Sequence, residues 1–531
     1  MRRLTAAEPP RSPTSMTDLL APLVLFAILA PATLAAAAVP PGAMQEPRVR
    51  APDLVGREWL NTDRPLASWK DDLAGHVVLL DFWTYCCINC MHVLPDLERL
   101  EKDFAAEPFQ VIGVHSNKFE QEGEAENIRQ AILRYGIRHP VVVDEDHRIW
   151  NGFAVRAWPT LMLVDAEGKV VGGVSGEGHY ELLKGVIQRT LDEQREAGVL
   201  AEKPLRTTLE RAPEMALRYP GKVVAHAGAL FIADSSHHRV LEVDPASGAI
   251  RRAFGSGEPG LADGADDAVQ FRNPQGMAVI GGALFVADTD NHALRRVDLK
   301  SGAVSTVAGN GAQARPFPEA GPGLATALNS PWDLVADGQL LHVAMAGSHQ
   351  LWTFDTASGK LAELAGSGRE NIVDGPAADA QLAQPSGLAL VGRRLYFADS
   401  EVSAIRYLDL DAAEVGTLVG TGLFDFGDRD GASTSALLQH PLGVAAWKDS
   451  LLVADTYNNK VKRLPADGSR SESLLGTGAE GLSEDELTFW EPGGLAVDGD
   501  TLYVADTNHH RIVAVDLLTK KWRVVLGGPR R

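Results

Sequence analysis

From about residue 213 the chain alternates short apolar runs with turn residues, and the alternation repeats. Aligning Pro220, Pro274, Pro331, Pro385, Pro441 and Pro492 gives six units separated by 54, 57, 54, 56 and 51 residues. Each unit reads as four short strands, for example residues 276–279, 283–288, 294–297 and 304–307. A four-stranded unit repeated six times closes into a β-propeller, which protects its sheet edges by radial packing. Upstream the pattern differs. The apolar run 77–83 predicts a buried strand followed by a helix, and further strand and helix signals continue through 111–114 and 135–144. The expected architecture is therefore multidomain, with an α/β domain at 48–197, a linker at 198–212 and an all-β propeller at 213–531.

The three cysteines of the chain fall within five positions, Cys86-Cys87-Ile88-Asn89-Cys90, where the strand gives way to the helix. A helix N-terminus stabilises an anion through its unpaired N–H groups and its dipole, so a cysteine placed there is expected to ionise readily. Cys86 and Cys90 also form a CxxxC, and thiolates favour Cu(I), with His92, His115, His147 and His179 as distant candidate ligands. Dithiol redox chemistry, soft-metal handling and a chemically inert relic are the three readings the cluster allows.

Asp81-Phe82-Trp83-Thr84-Tyr85-Cys86-Cys87-Ile88-Asn89-Cys90 resembles the active-site segment of the thioredoxin fold, and 48–197 resembles a TlpA-type redoxin. The resemblance implies that Cys87 attacks, Cys90 resolves, Asp81 is the buried proton acceptor, and Trp158-Pro159 is the cis-proline segment beside the site. Trp83, Trp158, Asn89 and Cys86 are accessory positions; Ile88-Asn89 replaces the family's usual dipeptide and Cys86 its usual Trp. It also implies no cofactor beyond a redox-active Cys87–Cys90 disulfide and no resident metal. Its partners would be protein thiols or disulfides as clients, with an unidentified electron donor or acceptor. The phrase Val-Ala-Asp-Thr-x-Asn-x-Arg recurs with variations, for example at 286–294 and 504–512, and resembles the NHL repeat. A redoxin joined to such a propeller resembles the family of NHL-repeat-containing protein 2 and its bacterial relatives.

Composition narrows the surroundings. A formal net charge of −20 argues against a nucleic-acid partner, because phosphate binding depends on Lys and Arg. Residues 1–47 read as an export signal and linker: Arg2 and Arg3, an apolar stretch at 19–30, then small residues to Ala38. The expected location is periplasmic or secreted; the alternative is an inner-membrane anchor formed by 19–38, the only expected contact with a membrane.

Within the repeats, Asp234, Asp288, Asp399, Asp455 and Asp506 end a strand before a tight turn, where a carboxylate is expected to accept backbone N–H groups. Asp263-Gly264, Asp374-Gly375 and Asp430-Gly431 recur eleven residues before a unit's proline and mark a recurring turn. Unit three departs twice. Met345 replaces the turn aspartate, and Trp332-Asp333 replaces the small residues after the proline, so Trp332 and Asp333 are the propeller's candidate site. Repeat drift is the competing explanation. The functional reading is an exported thiol-disulfide oxidoreductase whose propeller binds clients or serves as a scaffold. Alternatives are a ligand-binding or hydrolase-like propeller, or an interaction scaffold, with a subsidiary redoxin. A redoxin able to fold and act without the propeller is a further expectation.

Overall fold

The computed structural model describes residues 48–315 and 317–528. The expected export signal and the anchor at 19–38 lie outside the described residues, and no described helix is long and apolar enough to cross a membrane.

The first domain is a six-stranded sheet ordered β1-β4-β3-β2-β5-β6, formed by β1 (Trp59–Leu60), β2 (Val77–Trp83), β3 (Phe109–His115), β4 (Val141–Val143), β5 (Thr160–Val164) and β6 (Val170–Ser175). Strands β2, β3 and β4 run parallel, and β5 runs antiparallel to β2. Every residue of β2 is buried, because an apolar core covers each face of the sheet; this is why the strand reads as a continuous apolar run. Helices α1 (Ile88–Asp103), α2 (Ala125–Tyr135), α3 (Arg148–Gly152) and α4 (Tyr180–Glu196) complete the thioredoxin fold.

Six blades follow, at residues 220–254, 274–308, 331–365, 385–419, 443–475 and 492–527. The first strand of each is innermost, and the first strands of blades 6 and 1 pack together to close the ring. Four strands per unit is an incomplete description. Blades 3, 4 and 5 gain a two-residue outer strand, Gly321–Pro322, Gly375–Pro376 and Gly431–Ala432 respectively. Two of these strands begin at the recurring Asp-Gly turns. The aspartates of those turns also anchor buried cations: Asp263 and Asp288 both accept from Arg295, and Asp374 and Asp399 both accept from Arg406.

The recurring aspartates accept the N–H two residues before each repeat proline, as from Arg218 to Asp234 and from Arg272 to Asp288, both at 2.7 Å. Unit three replaces that aspartate by Met345, and where Asp288 and Asp399 have an arginine seven residues later it has Trp352, buried and bonded to Gln350. Met and Trp thus replace the whole ion pair, a substitution that costs little when both charges go together. The departure is a compensated exchange and not random drift.

A second ring was not legible beforehand. The residue after each tight turn, in the left-handed region with φ between 48° and 54°, accepts the N–H of the residue preceding the next blade's proline. The acceptors are His238, His292, His349, Ser403, Asn459 and His510, the last reaching Tyr219 of blade 1. Burial holds His292 down to about 3, and His238, His349 and His510 to about 4, which keeps the imidazoles neutral and able to accept.

Candidate functional site

Cys87 is the N-cap of α1, with extended backbone (φ −79°, ψ 113°), and its sulfur accepts the N–H of Cys90 at 3.3 Å. The chain leaves β2 at Trp83, turns through Thr84 and Tyr85, and starts the helix at Ile88, which places the three thiols at the helix start. All three are free, Cys87 half-buried and Cys86 and Cys90 buried. Burial pushes the Cys90 thiol well above its ordinary range, with the neighbouring Cys87 adding to the shift, and burial does the same to Cys86.

Asp81 sits on β2 opposite Gly113 of β3. Both its carboxylate oxygens are buried without a hydrogen-bond partner, and burial raises its pKa to about 7. A carboxyl group with that pKa exchanges protons readily at neutral pH. Gly113 is required for close approach: a Cβ there would lie 2.9 Å from the Trp83 Nε1 and 3.1 Å from Val141. Trp83 packs edge-on against His115, itself stacked on Tyr85, and burial lowers His115 to about 3. The Trp158–Pro159 peptide is cis, and Trp158 joins the apolar cluster that contains all three cysteines. Asn89 lies half-buried in the first turn of α1.

The propeller sits directly on this face. Gln384 grips both sides of the Cys87 peptide unit, donating to the Cys86 carbonyl and accepting the Ile88 N–H, each at 2.9 Å. Tyr85 donates to Glu491 at 3.1 Å, Arg134 pairs with the same carboxylate at 2.6 Å, and Lys118 pairs with Glu401 at 2.5 Å. Burial opposes charge on Lys118, yet Glu401 beside it holds the ammonium above its ordinary pKa. Phe119 is enclosed by Phe426, His440 and Tyr457. An isolated redoxin would lack the contacts that Tyr85, Lys118, Phe119 and Arg134 make to the propeller.

Trp332 and Asp333 part company. Trp332 lines the interdomain cleft with Ile88 and Met91 of α1. Asp333 points to the propeller axis, accepts the N–H groups of Leu334 and Leu388, and pairs with Lys222 of blade 1 at 3.5 Å. Lys222 also donates to the carbonyls of Ser386 and Leu442. Lys222 and Asp333 replace axial glycines whose Cβ atoms would collide with the next blade; one on Gly276 would lie 2.3 Å from the Asp333 Cα. Asp333 is thus not solitary. The pair plugs the channel, and burial disfavours the charged form of each partner. Among the described residues, no group of three or more His, Cys, Asp and Glu is arranged to hold a metal ion.

Sequence reading missed Gln384, Glu401, Tyr457 and Glu491. A signal existed for Gln384 and Glu491, because the two residues before each repeat proline vary from unit to unit, and for Glu401 and Tyr457, because the second residue after the turn aspartate varies likewise.

Residues 75–170 match the family model described as thioredoxin-like, and residues 489–514 the one described as NHL repeat. Protein SUPPRESSOR OF QUENCHING 1, chloroplastic, from Arabidopsis thaliana is 41% identical over 485 residues, covering 87% of this chain. This chain spans about half the length of that relative, 46%. NHL repeat-containing protein 2 from Homo sapiens is 40% identical over 508 residues, 88% of this chain and 70% of that one. Thiol-disulfide oxidoreductase ResA from Bacillus thuringiensis is 27% identical over 118 residues, 22% of this chain and 65% of that one.

Proposed function

Because the chain belongs to the NHL repeat-containing protein 2 family, with a thioredoxin-like domain ahead of its propeller, we propose that it is an exported thiol-disulfide oxidoreductase. The observation that carries this reading is the half-buried Cys87 at the N-cap of α1, with buried Cys90 one turn on and partnerless Asp81 beneath. Cys87 as thiolate attacks a client disulfide, forming a mixed disulfide and releasing one client thiolate. Cys90 passes its proton toward Asp81, attacks the Cys87 sulfur and releases the second client thiolate, leaving Cys87–Cys90 oxidised. Two electrons move from the dithiol to the client, and the reverse sequence oxidises clients. The cysteine pair is the redox group, and no further cofactor is needed. Cys86, buried and bonded through its N–H to Glu122 at 2.8 Å, supports the turn and takes no part in exchange.

The propeller acts as scaffold and client-binding platform, holding the start of α1 through Gln384 and leaving Cys87 the accessible sulfur. Export rests on the first 38 residues and on a cysteine inventory confined to the working cluster. The location is a periplasm-like space, reached either in free form or tethered by 19–38.

The test follows full-length variants with a fluorescent protein disulfide. Cys87→Ser is expected to lose reduction entirely, Cys90→Ser to accumulate a mixed disulfide on Cys87, Asp81→Asn to slow its resolution, and Cys86→Ala to retain turnover. Equal alkylation rates for the three thiols, or turnover in Cys87→Ser, would end this assignment.

A further inference from the structure

The junction between the domains encloses a cleft of about 680 Å³. Its floor is a face of α1 that begins at the buried Ile88, the residue directly after Cys87, and continues through half-buried Met91 to exposed Pro95. That volume suits a small molecule.

Its charge is out of keeping with the rest of the chain. In a protein of net charge −20, the cleft walls carry Arg138, Arg218, Arg272 and Arg315. Among the described residues, none of these four pairs with a carboxylate. Arg218 donates one N–H to the carbonyl of Leu133, while its Nε is buried without an acceptor. Arg315 donates to the side chain of Gln313 and acts on Asp96 and Glu177 through space without a salt bridge. The propeller repeat explains how two of them converge. Arg218 and Arg272 hold the same position two residues before the repeat proline, which faces the redoxin. In blades 5 and 6 that position is Gln439 and Trp490, and both bond to the redoxin. In blades 1 and 2 it lines the cleft, Arg218 bonding the end of α2 and Arg272 reaching no redoxin acceptor among the described residues. Guanidiniums without a salt-bridge partner that line a concave site focus positive potential and form bidentate bonds to carboxylates. Between them stand Asp96, Glu98, Glu101 and Asp290, outnumbered by the arginines of the lining, so the walls match a ligand of net negative charge that also carries an ammonium group.

We propose that this cleft binds a small peptide thiol or its disulfide, bearing several carboxylates and an amine, and presents its sulfur to Cys87. The inference rests on the oxidoreductase reading and names the small-molecule redox partner. The Cys87 thiolate attacks the peptide disulfide, releasing one peptide thiolate, and Cys90 then releases the other. The dithiol loses two electrons and the peptide disulfide gains them; run backward, the peptide thiol recharges the protein.

Calorimetric titration of oxidised glutathione into full-length Cys87→Ser protein separates binding from chemistry. Saturable binding is expected, falling about tenfold when Arg218→Gln and Arg272→Gln are added, as loss of charge-assisted bonds requires. Arg138→Gln, on an exposed loop, supplies an independent single variant with a smaller loss. With both redox cysteines intact, the same arginine pair is expected to lower the preference for oxidised glutathione over uncharged hydroxyethyl disulfide. Binding without turnover of either disulfide would keep the site and remove the oxidoreductase reading. Turnover of both disulfides with no binding, or with binding indifferent to the arginines, would overturn the site.

Discussion

The redoxin meets the propeller in two different ways. Over blades 4 to 6 the contact is dry and interlocked: Gln384, Lys118–Glu401, Arg134–Glu491 and the rings around Phe119 leave little room beside the cysteines. Over blades 1 and 2 the propeller touches the end of α2, through Arg218, Ser236 and Tyr219, and meets α1 only edge-on at His92 and His292, leaving the cleft between. One repeated backbone supplies both surfaces. The difference therefore lies in a few side chains before each repeat proline and in the turn after each second strand, such as Gln384, Glu401, Tyr457 and Glu491, which are free to vary because the repeat constrains mainly the backbone there. One side of the ring became a clamp and the other a cavity.

Beneath both halves runs the same ring of inter-blade hydrogen bonds, but its titratable acceptors belong to blades 1, 2, 3 and 6, whereas blades 4 and 5 use Ser403 and Asn459. Four imidazoles are held to about 3 or 4 in the folded chain, against about 6.5 when unfolded. Between those values the unfolded chain binds protons that the folded chain refuses, so stability falls as the pH drops from about 6.5 toward 4. The slope is up to about 1.4 kcal/mol per pH unit for each imidazole. Urea midpoints across that range should show the loss. His292→Asn, which borrows the acceptor blade 5 uses at Asn459, should reduce the slope; an unchanged slope would mean the ring does not titrate.

The clamp is next in size. Lys118→Met leaves Glu401 buried without its cation, a change expected to cost about 3 to 5 kcal/mol. Lower unfolding midpoints and faster proteolysis between the domains would register it. A loss below about 1 kcal/mol would mean that the pair contributes no more than a surface salt bridge.

The cavity side should barely respond. Arg272→Gln removes an exposed side chain with no ion pair, while its backbone N–H still bonds Asp288, so stability should stay within about 0.5 kcal/mol. A larger loss measured in the same urea series would erase the contrast between clamp and cavity.

Much of this was legible in the residues. The strand 77–83, the cysteine cluster at a helix start, Asp81 and the six proline-anchored units are local or periodic features, and short-range sterics and burial decide them. The Met345–Trp352 exchange was also visible, but reading it required knowing that their strands lie side by side. The channel plug needed Lys222 and Asp333 to meet, 111 positions apart in the chain. No periodicity encodes that meeting.

The sequence by itself determined the two folds and the placement of the cysteine cluster, because a thiol at a helix N-cap and a repeating strand pattern follow from neighbours within a few residues. Only the tertiary structure decided that Gln384, 296 positions after Ile88, would close one side of the cysteine cluster. It likewise decided that unpaired arginines from blades 1 and 2 would open a cleft on the other. Docking of one domain on another depends on shape and on buried charge meeting its partner, and those are properties of the assembled surfaces that no single stretch of chain contains.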